Sequence, residues 1–226
     1  MAKRSRKKKR RIRYDRVFIL LIFLVVIGYG FYYILTLPIT NIYVRGNKIL
    51  SDQEIIDTAF VSNYPSSITI VPSHIENKLE KNILIKKAKV SRVGLRQIKI
   101  EIEENKALFY YKTDKKTVMA NKMTTKREVA CPILINYTPK KIYRKLIDAM
   151  IQVDDNIINH ISEIKYDPNE VDEGRFLLTM TDGNYVYLSI NKFDSINSYI
   201  TIMKKFQDKR GILYLDSGEY FKVLEW

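Results

Sequence analysis

Hydrophobic and polar positions follow three rhythms along this chain. From Val17 to Leu37 the apolar run is continuous and holds no charged residue. Some twenty residues at about 1.5 Å of rise each span a hydrocarbon core of about 30 Å, so this segment is predicted to be a transmembrane helix. A second rhythm has period two. Ile98, Ile100 and Ile102 alternate with Lys99, Glu101 and Glu103, which predicts a half-buried strand over 97–103, preceded by another over 87–93. Ile42 to Arg45 is also strand-like and stops at the turn-forming pair Gly46-Asn47. The third rhythm is helical. Ser51-Asp52-Gln53-Glu54 has the spacing of a capping box ahead of Ile55, Ile56, Ala59 and Phe60, and Ser73-His74-Ile75-Glu76 repeats it ahead of Leu79.

The second half continues the mixture. A helix is predicted after Thr138-Pro139, with Ile142, Leu146, Ile147, Met150 and Val153 as its apolar stripe. Phe176 to Thr181 and Tyr185 to Ile190 flank Asp182-Gly183, a pair suited to a type I′ hairpin turn. A further helix should follow Asp194 and carry Ile196, Tyr199, Ile200, Met203 and Phe206 inward. Gly211 to Leu215, the turn Asp216-Ser217-Gly218, and Tyr220 to Leu224 form a last hairpin. Strand, helix, helix, strand, strand in the first part and mostly strands with two helices in the second make the fold class α+β.

Charge changes this picture only at the front. The net charge of +14 would suggest a nucleic-acid partner if it were spread over the body. Ten Lys or Arg against the single Asp15 fall within residues 1–16, however, leaving about +5 for the rest. A basic run such as Lys7, Lys8, Lys9, Arg10 and Arg11 beside a membrane span is retained on the cytoplasmic side and attracts anionic lipid. The run carries no base-reading scaffold, so the expectation is a lipid-bilayer partner and no nucleic acid. Tyr29, Tyr32 and Tyr33 gather at the far end of the span, at headgroup level. No small-residue cleavage site follows, so the span is expected to be retained as an anchor, with the amino terminus inside and the body outside.

Candidate chemistry is sparse. The chain has no phosphate-binding loop, nucleophile elbow, H-E-x-x-H or C-x-x-C pair, and His74 and His160 are its only imidazoles. No enzyme activity, cofactor, metal or small-molecule substrate is expected. Glu101 and Glu103 read as a solvated strand face, Cys131 as a small buried residue, and Asn136-Tyr137-Thr138 and Leu37-Pro38-Ile39-Thr40 as chance matches to modification and sorting signals. Of Tyr185, Tyr187, Tyr199, Tyr214 and Tyr220 most read as sheet core, with Tyr220 set apart because it lies on the chain's final strand.

The pattern Val44-x-Gly46-Asn47, then Ile85-Lys86-Lys87-Ala88-Lys89-Val90, then Ile98-x-Ile100-x-Ile102-x-Glu104 resembles the POTRA domain of the bacterial cell-division proteins FtsQ and DivIB. It departs at Gly94-Leu95-Arg96, where that family commonly has a proline. Pro132-Ile133-Leu134, with Cys131 in place of an aliphatic residue, Ile161 to Ile164, the position of Tyr199 and the last hairpin extend the resemblance over nearly the whole chain. It implies a basic cytoplasmic arm (1–16), a transmembrane helix (17–37), a POTRA-like domain (38–105) and a β domain (106–226). It further implies a non-enzymatic scaffold of the divisome at the septum, docking FtsL-type and FtsB/DivIC-type partners and supporting septal peptidoglycan synthesis. In that family the end of the β domain is the docking site, which points here to Tyr220, Phe221, Val223 and Leu224, on a final strand that can be a sheet edge. The rival expectations are a POTRA protein of an export system and a membrane-tethered cell-envelope enzyme.

Overall fold

The computed structural model describes residues 14–66, 68–206 and 209–224. Helix α1 runs over Tyr14–Leu35 with none of its residues buried. At about 1.5 Å per residue it is about 33 Å long, and it is the one helix among the described residues long and apolar enough to cross a membrane. Thr36 closes it by donating its hydroxyl to the carbonyls of Tyr32 and Tyr33, and Pro38 follows.

A three-stranded sheet comes next. β1 (Asn41–Arg45) pairs in parallel with β3 (Gln97–Glu104), and β2 (Ile85–Arg92) pairs antiparallel on the other side of β3. Helices α2 (Asp52–Thr58) and α3 (Pro72–Leu79) contribute Ile55, Ile75 and Leu79 to a core with Ile98, Ile100 and Ile102, the inward row that the period-two pattern predicts. The turn after β1 needs its glycine. Gly46 has φ +91°, and a Cβ there would lie 2.1 Å from the Ile102 carbonyl oxygen.

The first capping box forms as expected, with Glu54 N–H donating to Ser51 Oγ and Ser51 N–H to Glu54 Oε2. The second does not. Pro72 starts α3 two residues earlier than that box requires, with Val71 as an N-cap that makes no side-chain bond. Glu76 instead accepts from the Val90 N–H at 2.7 Å, and Glu80 from the Ala88 N–H at 3.0 Å. Phe60, the last of the apolar residues that follow the capping box, is 68% exposed at φ +56°, because α2 has already ended, and the Lys78 ammonium covers its ring.

The second sheet has nine strands. They are β4 (Ala107–Tyr111), β5 (Lys116–Met119), β6 (Thr124–Thr125), β7 (Ile133–Leu134), β8 (Ile161–Tyr166), β9 (Arg175–Met180), β10 (Tyr185–Ser189), β11 (Gly211–Tyr214) and β12 (Tyr220–Val223). Their spatial order is β12-β11-β10-β9-β8-β7-β4-β5-β6. Helices α4 (Lys140–Ile151) and α5 (Asp155–Ile158) supply Leu146, Met150, Ile157 and Ile158 to one core with Leu134, Ile164, Phe176, Leu178, Val186, Leu188 and Leu213 from the strands. Two expectations change here. Gly183 (φ +86°) closes a three-residue loop in which the Gly183 N–H reaches the Met180 carbonyl and the Met180 N–H reaches the Asn184 carbonyl. That is a type I turn with a glycine bulge, since type I′ would require positive φ at Asp182 as well. The segment after Asp194 is not one helix. A 3-10 segment (Ile190–Ser198), broken by a kink at the non-helical Lys192, leads into the five-residue α6 (Tyr199–Met203), burying Ile196 and Tyr199 and leaving Ile200 and Met203 half-buried.

Candidate protein-docking edge

Among the described residues, β12 has a neighbour on one side only. Its register against β11 pairs Tyr214 with Tyr220, Leu213 with Phe221, Ile212 with Lys222 and Gly211 with Val223, and the Leu224 N–H donates to the Arg210 carbonyl at 3.0 Å. In an antiparallel ladder hydrogen-bonded pairs alternate with open ones. The pairs 210/224, 212/222 and 214/220 are therefore closed, and the N–H and C=O groups of Phe221 and Val223 face away from the sheet. The side chains of the strand divide as well. Phe221 is half-buried against the core and packs on Phe206 with ring centroids 4.5 Å apart, whereas Tyr220 is 51% and Val223 42% exposed. Leu224 is half-buried at the strand's end.

Several contacts hold this edge in place. A Cβ on Gly211 would lie 2.2 Å from the Lys222 carbonyl oxygen, so only glycine lets β12 approach there. Arg175 on β9 donates from Nε to Asp216 at 2.8 Å and from Nη1 to Asp167 at 3.2 Å. Burial alone would raise the Asp216 pKa, but Arg175 and Ser217 outweigh it and hold the carboxyl below its ordinary range. The Arg175 guanidinium also lies 3.6 Å over the ring of Tyr187, which stacks on Tyr214 at 5.4 Å, which stacks on Tyr220 at 4.5 Å. The result is a cation–aromatic ladder across four strands, ending at the free edge.

This ladder corrects the reading of the tyrosines as core. Tyr199 alone of the five is buried, at 1% exposure. Tyr185, Tyr187, Tyr214 and Tyr220 alternate with Val186, Leu213 and Phe221, so the period of two sends them to the uncovered face. That alternation is visible in the sequence, but Arg175 as its terminus is not, because its register against Tyr187 is set by the β9–β10 hairpin. On the opposite, core-facing side of the sheet, the Tyr199 hydroxyl donates to Asp182 at 2.7 Å, and burial together with that carboxylate pushes its pKa well above the usual phenol range.

The remaining candidates have structural surroundings. His160 Nδ1 lies 2.7 Å from the Asn156 carbonyl, and His74 is exposed on α3. Glu101 pairs with Lys99 at 2.5 Å and Glu103 with Lys86 at 2.6 Å, a solvated strand face. Burial pushes the Cys131 thiol up to about 11, so it is un-ionised at neutral pH. The Asn136 amide exchanges two hydrogen bonds with the Tyr166 backbone, at 2.8 and 2.9 Å, and Ile39 is buried in the first core. No group of three or more His, Cys, Asp or Glu that could hold a metal occurs among the described residues. Lys7, Lys8, Lys9, Arg10 and Arg11 lie outside the described residues.

Comparison with known proteins adds a lineage to this geometry. Residues 37–105 match the POTRA domain, FtsQ-type. The chain is 32% identical over 231 residues to the cell division protein DivIB of Bacillus subtilis, covering 97% of this chain and 87% of the relative. It is 29% identical to the DivIB of Listeria monocytogenes, covering 96% and 84%. A solved structure, the major extracytoplasmic domain of the trans isomer of DivIB from Geobacillus stearothermophilus, is similar over 47% of this chain and 96% of that one, with 19% identity and a TM-score of 0.38.

Proposed function

Because this chain belongs to the DivIB family of cell-division proteins, we propose that it acts as a non-enzymatic, membrane-anchored scaffold of the divisome, docking a partner on the free edge of β12. The cell-division role comes with the family; the mechanism is our reading. Its supporting observation is the outward set of backbone groups on Phe221 and Val223, flanked by the exposed Tyr220 and Val223 side chains. An extended partner segment can pair with such an edge through main-chain hydrogen bonds, while alternate side chains select it. We assign this partner to the FtsB/DivIC-type division proteins, with FtsL-type protein in the same assembly. The platform would then support septal peptidoglycan synthesis by holding its partners in place, without chemistry of its own. The arm of residues 1–16 would remain in the cytoplasm by its positive charge, α1 would cross the bilayer, and the POTRA-like (38–105) and β (106–226) domains would stand outside.

Val223→Pro tests the docking edge directly. The Val223 N–H faces away from β11, so proline there removes a donor offered to the partner without opening a β11–β12 hydrogen bond. Losing one main-chain bond of about 1 kcal/mol, together with proline's blockage of close strand approach, should weaken capture of the DivIC-type partner at least about tenfold. Circular dichroism of the full chain in detergent should stay unchanged. Undiminished capture by the folded variant would remove β12 from the mechanism.

A further inference from the structure

We propose that the tip of the β2–β3 hairpin, Val93 to Arg96, rests in the headgroup–acyl boundary of the leaflet from which α1 emerges, so that the first domain is docked on the lipid surface. The proposal rests on the reading of α1 as a membrane anchor and goes beyond it.

Chain length sets the position. α1 ends at Leu35, and Ile39 is already buried in the first core at 3% exposure. Four residue steps extend at most about 14 Å, and here the link is shorter, because the Thr36 N–H still reaches the Tyr32 carbonyl and the Leu37 N–H the Ile34 carbonyl. Whatever surrounds Pro38 to Thr40 is therefore held against the bilayer. The hairpin tip surrounds it. The Thr40 N–H and hydroxyl both donate to the Arg96 carbonyl, at 2.7 and 3.1 Å, and Arg96 Nε donates to the Pro38 carbonyl at 3.2 Å. On the other side the Ile39 N–H donates to the Pro65 carbonyl at 3.1 Å, which brings in Tyr64, itself 51% exposed.

The composition of the tip fits a lipid surface and does not suit water. Gly94, at φ +73°, makes the turn, but its neighbours Val93 and Leu95 are 44% and 58% exposed and belong to neither core. Turn positions in water favour Gly, Asn, Asp and Ser. Two branched apolar side chains at an apex, flanked by exposed Arg92 and Arg96 and with a tyrosine alongside, match the headgroup boundary, where apolar groups and tyrosine rings enter and long cationic chains remain at the polar level. Among the described residues no carboxylate forms an ion pair with either arginine. Their guanidinium groups bond to the backbone carbonyls of Ile68, Ile70 and Pro38 and so keep a net positive charge facing lipid phosphates.

The test uses the full chain in lipid nanodiscs, read by methyl NMR with nitroxide-bearing lipids. An acyl-chain nitroxide should broaden Val25 within α1. A headgroup nitroxide should broaden Val93 and Leu95 strongly, while Val171, 95% exposed on the loop between β8 and β9, stays sharp. If Val25 broadens and Val93 and Leu95 remain as sharp as Val171, the docking is wrong and the anchor stands. If Val25 itself does not broaden, the anchor reading fails and the proposal falls with it. Shielding of Val93 and Leu95 that appears only after a second division protein is added would also overturn it, by making the tip a protein contact.

Discussion

At the residue scale, Tyr199 shows how a single buried polar group pins the second sheet. Its hydroxyl donates to both oxygens of Asp182, at 3.0 and 2.7 Å, and so ties the loop between β9 and β10 to α6. A hydrogen bond to a charged group contributes about 1.5–3 kcal/mol, so Tyr199→Phe should lower stability by about 2 kcal/mol, read as a shift of the urea midpoint at constant slope. The pH dependence has a definite sign. Burial first, and the Asp182 carboxylate second, raise the phenol's pKa in the folded chain. The contribution is therefore complete below the ordinary tyrosine value of about 10 and is lost as pH rises beyond it. The stability gap between the parent chain and Tyr199→Phe should narrow in alkaline solution; a constant gap would mean that the phenol is not held in its neutral form. Tyr199 was legible as an inward helical position, but Asp182 as its partner was not, because seventeen residues separate them.

At the element scale, two of the outer strands, β2 and β12, are treated in opposite ways. An unpaired strand edge invites another chain. On β2 the invitation is closed by Glu76 of α3 and Glu80 just past its end, whose carboxylates accept the outward N–H groups of Val90 and Ala88. Among the described residues the outward groups of β12 have no such cover. Glu76→Ala with Glu80→Ala should accelerate amide exchange at Ala88 and Val90 while the amides of the central strand β3 keep their protection. Equal protection in the double variant would show that the carboxylates are not what closes this edge. The strands between Ala107 and Thr125 were the least visible in the sequence. A bulge between Ala107 and Phe109 turns both Leu108 and Phe109 inward, at 0% exposure each, and erases the alternation by which a strand is recognised.

At the scale of the whole molecule, the two sheets are clasped together. Arg127, from the segment after β6, donates to Glu54 at 2.6 Å and to the Ile49 carbonyl at 2.9 Å, so the carboxylate that caps α2 also receives the second half of the chain. Lys106 pairs with Asp155 at 2.9 Å, Asn121 donates to the Ile83 carbonyl at 3.1 Å, and Met119 of β5 is buried in the first core. Hydrogen bonding from Arg127, then from Ser51, lowers the Glu54 pKa to about 2. The clasp is thus complete above the ordinary glutamate range near about 4.3 and opens as pH falls through about 2. In Arg127→Ala the Glu54 carboxyl should titrate closer to its ordinary value, followed by its side-chain carbon shift; an unchanged titration would assign the depression to the capping box alone. Through this clasp, a first domain seated on lipid would hold the second sheet and its free edge at a set distance from the membrane.

The sequence by itself determined the lineage and those elements that carry a local pattern. An uncharged run of about twenty residues, an isoleucine row at period two, a capping box at Ser51 and a glycine after β1 are local patterns, and local backbone chemistry reads them without knowing the fold. Tertiary structure alone decided which strand became an edge, which face of β12 turned outward, that Glu76 closes β2 instead of capping its own helix, and that Arg175 and Arg127 join distant segments. These depend on the order in which strands pair and on residues far apart in the chain. Strand order leaves no periodic trace, because an edge and a centre strand of similar composition differ only in whether a neighbour is present.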